Sequence, residues 1–302
     1  MKKIIKGIII AILSLVLAFA IGLTASMAVY YPHYRKNRAP VVFDSESGRD
    51  IRVMSCNVRC ITPFDFGKKN WFNRADLIAN NIRNNMPTVI GFQEVTKWQY
   101  NYLRVVLPQF DSVITYRDNM VNSEGCPVFY RLDLYNLVDK GSFWLSETPE
   151  KMSKDWGAAC YRICSYVILE EKASGQQFVV FNTHLDHISD EARINGINVV
   201  LEKIEQFGSL PSVIMGDFNA GENTETYRSV TEKFLDAKYQ LENPMKGATY
   251  TNWGAAIEGE NIDYFMISKT GFAVKDYKII RDTYDGVYPS DHFPIFTVLE
   301  LV

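Results

Sequence analysis

An apolar run that stops in an acid and an amide sets the terms for this chain. Val213, Ile214 and Met215 read as a buried strand, Gly216 as its end, and Asp217 and Asn219 follow two residues apart. Side chains alternate along extended backbone, so carboxylate and amide point the same way off the strand's carboxyl end. Alone, Gly216-Asp217-Phe218-Asn219 is also a strand followed by an Asx turn. The pattern recurs, however. Asn57 ends one apolar run and Glu94 another, Asn182, His184 and Asp186 alternate after a third, and Asp263 and Ser290-Asp291-His292 flank two more. Each has a structural explanation by itself, a helix cap or a satisfied polar group. Strand ends on one side of a sandwich converge in space, and the series reads as one site.

The segments between these points suggest the layering. Residues 51–58 and 88–94 are strand candidates, each followed by a helical pattern, at 71–85 and 95–107. From 111 to 185 strands dominate, at 113–116, 128–130, 142–145, 162–170 and 177–183, with Lys172-Ala173-Ser174-Gly175 as a hairpin turn. Helices at 189–207 and 224–235, strands at 262–267 and 294–302, and a strand or hairpin around 272–281 complete the pattern. Early βα units, a β-rich middle and late helices predict two packed sheets covered by helices. No linker interrupts 50–302, which reads as one domain.

The first 40 residues differ in kind. They contain six basic residues and no acid, and 7–31 carry no charge. That run is long enough to span a bilayer and longer than a usual signal core, so a retained anchor is expected over a cleaved signal, although Ser26-Met27-Ala28 offers a cleavage site. Residues 32–49 read as a juxtamembrane linker. The anchor places the domain at the cell membrane, outside the cytoplasm. The lysines before the span and the basic residues after it give that orientation only a slight advantage. Residues 41–302 hold 26 basic against 35 acidic groups, a formal −9 that excludes gripping a polyanion by bulk charge. The five cysteines have no zinc-finger grouping and read as ordinary buried thiols, a mild argument against a strongly oxidising compartment.

Taken in order, Asn57-Val58-Arg59, Gln93-Glu94, Asn182-Thr183-His184-Leu185-Asp186-His187, Gly216-Asp217-Phe218-Asn219, Ile262-Asp263-Tyr264 and Ser290-Asp291-His292 resemble the endonuclease/exonuclease/phosphatase superfamily. The resemblance covers about 50–302. Residues 142–149, Arg162-Ile163-Cys164 and 182–187 are most similar to a bacterial deadenylase-like branch. The sequence departs from that pattern at Tyr161, where proline is expected, and at Tyr250-Thr251-Asn252-Trp253, which replaces a Phe-His-Gly-Phe-like stretch.

The resemblance implies a four-layer α/β sandwich of two packed mixed β-sheets flanked by helices, here preceded by one transmembrane helix. It also implies Mg²⁺ or Mn²⁺ and hydrolysis of a phosphoester. Glu94 matches the principal metal ligand, with Asn57 and Asp291 beside it. Asp217 and Asn219 match the residues that orient the attacking water and the phosphate. His292, backed by Asp263, and His184 match the two histidines facing the phosphate. Substrate contact is expected from Asn57, Arg59, Arg162, Asn182 and Asp186. For Asp186, His187 and Arg193, packing of the hairpin and helix start explains the residues equally well.

A small phosphorylated substrate or a nucleic-acid end follows from the charge balance, with a monomer attached to the membrane through 7–31. A nuclease on DNA or RNA and a sphingomyelinase-type phospholipase C are the rival activities. The second has the anchor in its favour and lacks a long apolar hairpin to enter lipid. A catalytically silent, membrane-anchored binding module is the rival of another class. It requires the loss of Glu94, Asp217, Asn219 or His292, and all four are present.

Overall fold

The main strands of this protein are apolar on both faces, which puts two sheets in the middle of the molecule and helices on the outside. The computed structural model describes residues 2–44 and 50–302. The chain begins with α1 (Lys2–Lys36), β1 (Asp50–Asn57), α2 (Trp71–Asn85), β2 (Val89–Gln93), β3 (Val95–Thr96) and α3 (Lys97–Val106). The β-rich middle holds β4 (Phe110–Val113), β5 (Glu124–Gly125), β6 (Val128–Arg131), β7 (Tyr135–Trp144), β8 (Ile163–Glu171) and β9 (Gln177–His184). Then come α4 (Asp190–Glu205), β10 (Ser212–Asp217), α5 (Glu225–Lys233), β11 (Phe234–Asp236), β12 (Asp263–Ser268), β13 (Phe272–Ile279) and β14 (Ile295–Leu301).

One six-stranded sheet runs β13-β14-β1-β2-β6-β4 and the other β11-β12-β10-β9-β8-β7, with β3 and β5 as a separate ribbon. β1 and β2 are parallel, as are β9 and β10, while the other pairs are antiparallel. Three apolar clusters separate four layers. Val53, Val89, Val180, Val213, Met215 and Phe265 belong to the one between the sheets. Ile78, Ile82, Leu103 and Ile90 pack α2 and α3 on the first sheet, and Ile197, Val200, Val230 and Ile214 pack α4 and α5 on the second. Each buried aliphatic or aromatic side chain contributes about 1.5–3 kcal/mol. The expected two-sheet sandwich is the observed one.

Just beneath one end of the strands the sheets are stitched by polar groups. Gln93 Nε2 donates to Asn182 Oδ1 at 2.7 Å, and Asn182 Nδ2 donates to the carbonyls of Phe92 and Pro127 at 2.8 Å. Gly91 permits this approach. A Cβ there would lie 2.4 Å from Met215 Cε and 2.8 Å from Asn182 Cγ.

Three boundaries differ from those read in the sequence. Gly216 does not end its strand: it lies within β10 at φ +141°, where a Cβ would strike the Thr183 carbonyl at 1.9 Å. The strand expected at 113–116 runs over β4 instead, paired with β6. β7 begins at Tyr135, earlier than 142, because it is an edge strand whose polar positions face solvent and leave no apolar run.

The linker expected over 32–49 is largely structured. α1 continues through Pro32 to Lys36, and Tyr34 packs its ring on Phe72 and Tyr102 at 5.1 and 5.3 Å. The following segment lies across the domain, with Val41 and Phe43 buried and Val41 N donating to Val106 O. Residues 45–49 of that span fall outside the described residues. Among the described residues, one helix is long and apolar enough to cross a membrane, at Lys3–Gly22, with mean hydropathy 2.8 and none of it buried.

Candidate active site

Two parallel strand pairs end on the same side of the molecule, and their last residues meet. In the first sheet Asn57 pairs with Gln93, one residue before Glu94. In the second, Asp217 sits between His184 on β9 and Asp263 on β12. The chain then lines a cavity of about 360 Å³ with Arg59, Glu94, Arg162, His184, Asp217, Asn219, Asp291 and His292, joined by Cys60, Arg117, Glu124, Cys160, His187 and Tyr250. Arg59, Glu94 and Asn219 adopt positive φ, 52°, 61° and 49°. For a residue with a Cβ that conformation is uncommon, and its concentration on one cavity fits a site held by its surroundings.

On the side of the first sheet the site is acidic. Glu94 accepts from Asn57 Nδ2 at 3.2 Å and from Cys60 N at 2.8 Å. Burial pushes its carboxyl up, but those donors with His292 and Arg59 outweigh burial and hold it below its ordinary value. Asp291 is raised, by burial first and by the Glu94 charge, against the offsetting charges of His292 and Arg59. Arg59 Nε lies 3.2 Å from Asp65 and 3.8 Å from Asp291. Buried Arg74 fixes this wall: it donates to the carbonyls of Val58, Arg59, Lys69 and Pro289 at 2.6–2.9 Å. Carboxylate oxygens of like charge beside a cavity suit a hard divalent cation, which takes oxygen ligands and keeps waters. Glu94 and Asp291 fit that role. Asn57 Oδ1 accepts from Arg59 N at 2.9 Å and keeps a second lone pair, while its Nδ2 ties Glu94 to Asp217. Ligand atoms of Cys60, Glu94 and Glu124 also lie within 4.8 Å of one another, as do those of Asp217, Asp263 and His292.

The second side is a carboxylate between two imidazoles. Asp217 Oδ2 accepts from Asn57 Nδ2 at 3.0 Å and lies 3.5 Å from His184 Nε2 and 3.6 Å from His292 Nε2. Its Oδ1 accepts from Asn219 N at 2.9 Å, the Asx turn of the sequence, which therefore coexists with the site. His292 Nδ1 is 2.9 Å from Asp263 Oδ2. Burial lowers the His292 pKa, but Asp263, Asp217 and Asp291 outweigh it and raise it to about 10, so His292 is an imidazolium at neutral pH. Burial and the charges of Arg162 and Arg117 push His184 well below its usual value, so it is neutral. Asp217 is raised to about 7, by burial and Asp263 against His292. One proton-holding histidine, one neutral histidine and a carboxylate poised near neutrality can position a water and meet a phosphoryl group.

Two expected substrate contacts lie elsewhere. Asn182 is fully buried in the inter-sheet network beneath the cavity. Asp186 is 1% exposed and accepts from the backbone N–H of Ala159, Cys160, Ile188 and Ser189, so it ties the loop after β8's neighbour strand β9 to residues 159–160. Both are satisfied by protein groups. All five cysteines are free, but Cys60 and Cys160 are only half-buried and line the cavity, unlike the buried thiols expected.

Sequence reading missed Arg117 and Glu124, which pair at 2.8 Å. Glu124 opens the two-residue strand β5, too short for periodicity to reveal, and Arg117 N donates to the Glu124 carbonyl. Tyr250 was noted only as a departure, yet its ring is 5.1 Å from His292.

Residues 54–292 match the sequence profile of the Endonuclease/Exonuclease/phosphatase family. The fold is similar to an endonuclease/exonuclease/phosphatase from Bacteroides vulgatus, with TM-score 0.79, 30% identity and coverage of 84% of this chain and 99% of that one. It is similar to a Bacteroides thetaiotaomicron mannosyl-6-phosphatase, with TM-score 0.75, 31% identity and coverage of 82% and 99%. Nocturnin of Drosophila melanogaster is 24% identical over 314 residues, which take in 84% of this chain and 47% of that protein. The chain thus belongs to the endonuclease/exonuclease/phosphatase family, whose members are metal-dependent hydrolases such as nucleases and phosphatases.

Proposed function

We propose that residues 50–302 hydrolyse a small phosphoester with the help of Mg²⁺ or Mn²⁺, and that α1 holds them at a membrane. The observation that carries the chemistry is Asp217, gathered with Asn57, His184 and His292 at a cavity edge. Glu94 and Asp291 would hold the cation, which would supply polarisation of a phosphoryl oxygen and offset its charge. Asp217 orients the attacking water and takes its proton, with Asn219 fixing the turn beside it. His292, held in orientation by Asp263, donates to a phosphoryl oxygen, and neutral His184 supports the developing charge from the other side. Arg59 and Arg162 supply charge to the substrate's anionic groups. Asn182 and Asp186 act beneath the site, as supports.

The size of the cavity favours a small ligand over a polymer. The −9 balance of 41–302 favours it too, as does the likeness to a sugar-phosphate phosphatase. A hydrolysis screen of sugar phosphates, inositol phosphates, nucleotides and oligonucleotides with Mg²⁺ tests the reading. Turnover of small phosphoesters that is insensitive to salt is expected. Efficient plasmid nicking that weakens steeply with salt would replace it with a nuclease.

A further inference from the structure

The catalytic domain exposes its large apolar side chains unevenly. Among the described residues 50–302, five such side chains are at least 70% exposed: Phe64, Phe66, Met120, Val121 and, at the chain's end, Val302. The first four come from two loops that touch, since Asn122 Nδ2 donates to Ile61 O at 2.7 Å. Both loops rise from the cavity wall. Arg59 and Cys60 precede the first, and Glu124 follows the second. Trp98, 51% exposed, stands in the first turn of α3 and packs its ring 6.4 Å from Phe72. Lys68, Lys69 and Lys97 are exposed alongside.

The apolar helix leaves the domain at this same edge. His33 lies 3.5 Å from Asp76, and Tyr31 lies 6.3 Å from Phe72. Going back along the chain, Val41 meets Val106, Asn37 and Tyr34 meet Tyr102, and Tyr31 meets Phe72, whose ring faces Trp98. Moving toward the amino end of α1 therefore moves toward the first turns of α2 and α3. The first turns of α2 and α3 follow the carboxyl ends of β1 and β2, which is the end that carries Asn57 and Glu94. A span of about 20 residues crosses the hydrocarbon of a bilayer. Placed within the uncharged run 7–31, it ends no more than a few turns from Tyr31. That leaves the cavity mouth little distance from the headgroups.

We propose that Phe64, Phe66, Met120, Val121 and Trp98 form a rim that seats on the bilayer surface, turning the cavity mouth toward the membrane. Exposed aromatics and aliphatics beside lysines are the composition that enters the headgroup region, the ring or chain in the interface and the ammonium at the phosphates. The substrate reaching the cavity from that side is a phosphoester at headgroup level. This rests on the reading of α1 as an anchor. It also supplies from two short loops what the sequence lacks in a long apolar hairpin.

The test uses the full chain reconstituted into phosphatidylcholine–phosphatidylglycerol vesicles, with lipid brominated near the headgroup end of the acyl chain as quencher. α1 contains no tryptophan, so emission reports on the domain alone. Brominated lipid is expected to quench the wild-type chain, and Trp98→Phe to remove that quenching. Phe66→Trp is expected to add a quenched component. The variant Phe64→Ser/Phe66→Ser/Val121→Ser, altered only at exposed positions, is expected to float with the vesicles as before and to lose the quenching of Trp98. A chain that floats yet emits equally in brominated and ordinary lipid overturns the rim while leaving the anchor. A chain that does not float overturns the anchor, and the rim with it. Crosslinked dimers through the Phe66 loop without quenching would assign the face to a second copy instead.

Discussion

The two sheets bring their share of the site to the common edge by different means. On the second sheet, His184, Asp217 and Asp263 are neighbours in strand register, so the ladder itself sets their spacing. On the first, Arg59 and Glu94 stand just past the strands, in left-handed backbone, and buried Arg74 holds the surrounding loop by four carbonyls. Ladder-built geometry is cheap to specify and hard to deform. Loop-built geometry needs strain and a buried cation to maintain it. The chemistry follows the division with one crossing. Cation binding stays on the loop side, while Asp217 and His184 on the ladder handle protons together with His292, which comes from the loop before β14 of the first sheet.

The sharpest test is to remove one residue from each chemistry, proton handling and cation binding. His292→Ala is expected to lower kcat by about 10²–10⁴-fold, the usual contribution of a positioned acid–base group, with the metal concentration for half-maximal rate little changed. Glu94→Gln is expected to remove activity at ordinary Mg²⁺ while circular dichroism shows the fold retained. Unchanged turnover and metal affinity in well-folded Glu94→Gln would end its assignment as a cation ligand.

Asn57 spans the divide, donating to both Glu94 and Asp217. As an outer partner of a ligand, its loss in Asn57→Ala is expected to weaken metal affinity by about 10–100-fold. A change confined to kcat, with metal titration as in wild type, would move Asn57 wholly to the proton-handling side. Asp263→Asn is expected to cost less than His292→Ala, because Asp263 acts through the histidine. Should Asp263→Asn prove more damaging, Asp263 itself would have to contact the metal or the water.

The same division explains what could be read without the structure. Residues in strand register announce themselves by alternation after an apolar run, and so Asp217, His184 and Asp263 were legible along with most elements. Asn219 lies past the end of β10 in left-handed backbone, so the expected alternation with Asp217 does not place it. Asn182 was misplaced by the same rule. Alternation puts it on the face of His184, but two residues deeper, where the sheets close over it. Arg117, Glu124 and Cys60 join through loops and a two-residue strand, which no periodicity marks. The expected linker failed for a related reason. Tyr34, Val41 and Phe43 are too widely spaced to register as an element, yet each is buried in the first sheet's outer cluster, Tyr34 on Phe72 and Tyr102 and Phe43 on Phe110.

Asp186 offers the mildest and most pointed test, since it is a loop-built support on the ladder side. Burial pushes its carboxyl up, but the N–H groups of Ser189 and Ile188 with the Arg162 charge hold it below the ordinary value. A carboxylate with a lowered folded pKa stabilises the fold fully above the unfolded value, near 3.9, and that stability is lost as pH falls through the lowered folded value. Asp186→Asn is therefore expected to destabilise by about 1–3 kcal/mol at neutral pH, the cost of weakening a buried carboxylate's hydrogen bonds. The gap to wild type should narrow below about pH 4. Turnover should change only slightly, because four backbone donors already occupy the carboxylate. Denaturant melts across pH, paired with kcat at pH 7, separate the two roles. A stable Asp186→Asn whose KM rises sharply would return Asp186 to the substrate. A melt difference that persists undiminished in acid would show that shape at this loop, and not charge, is what the site relies on.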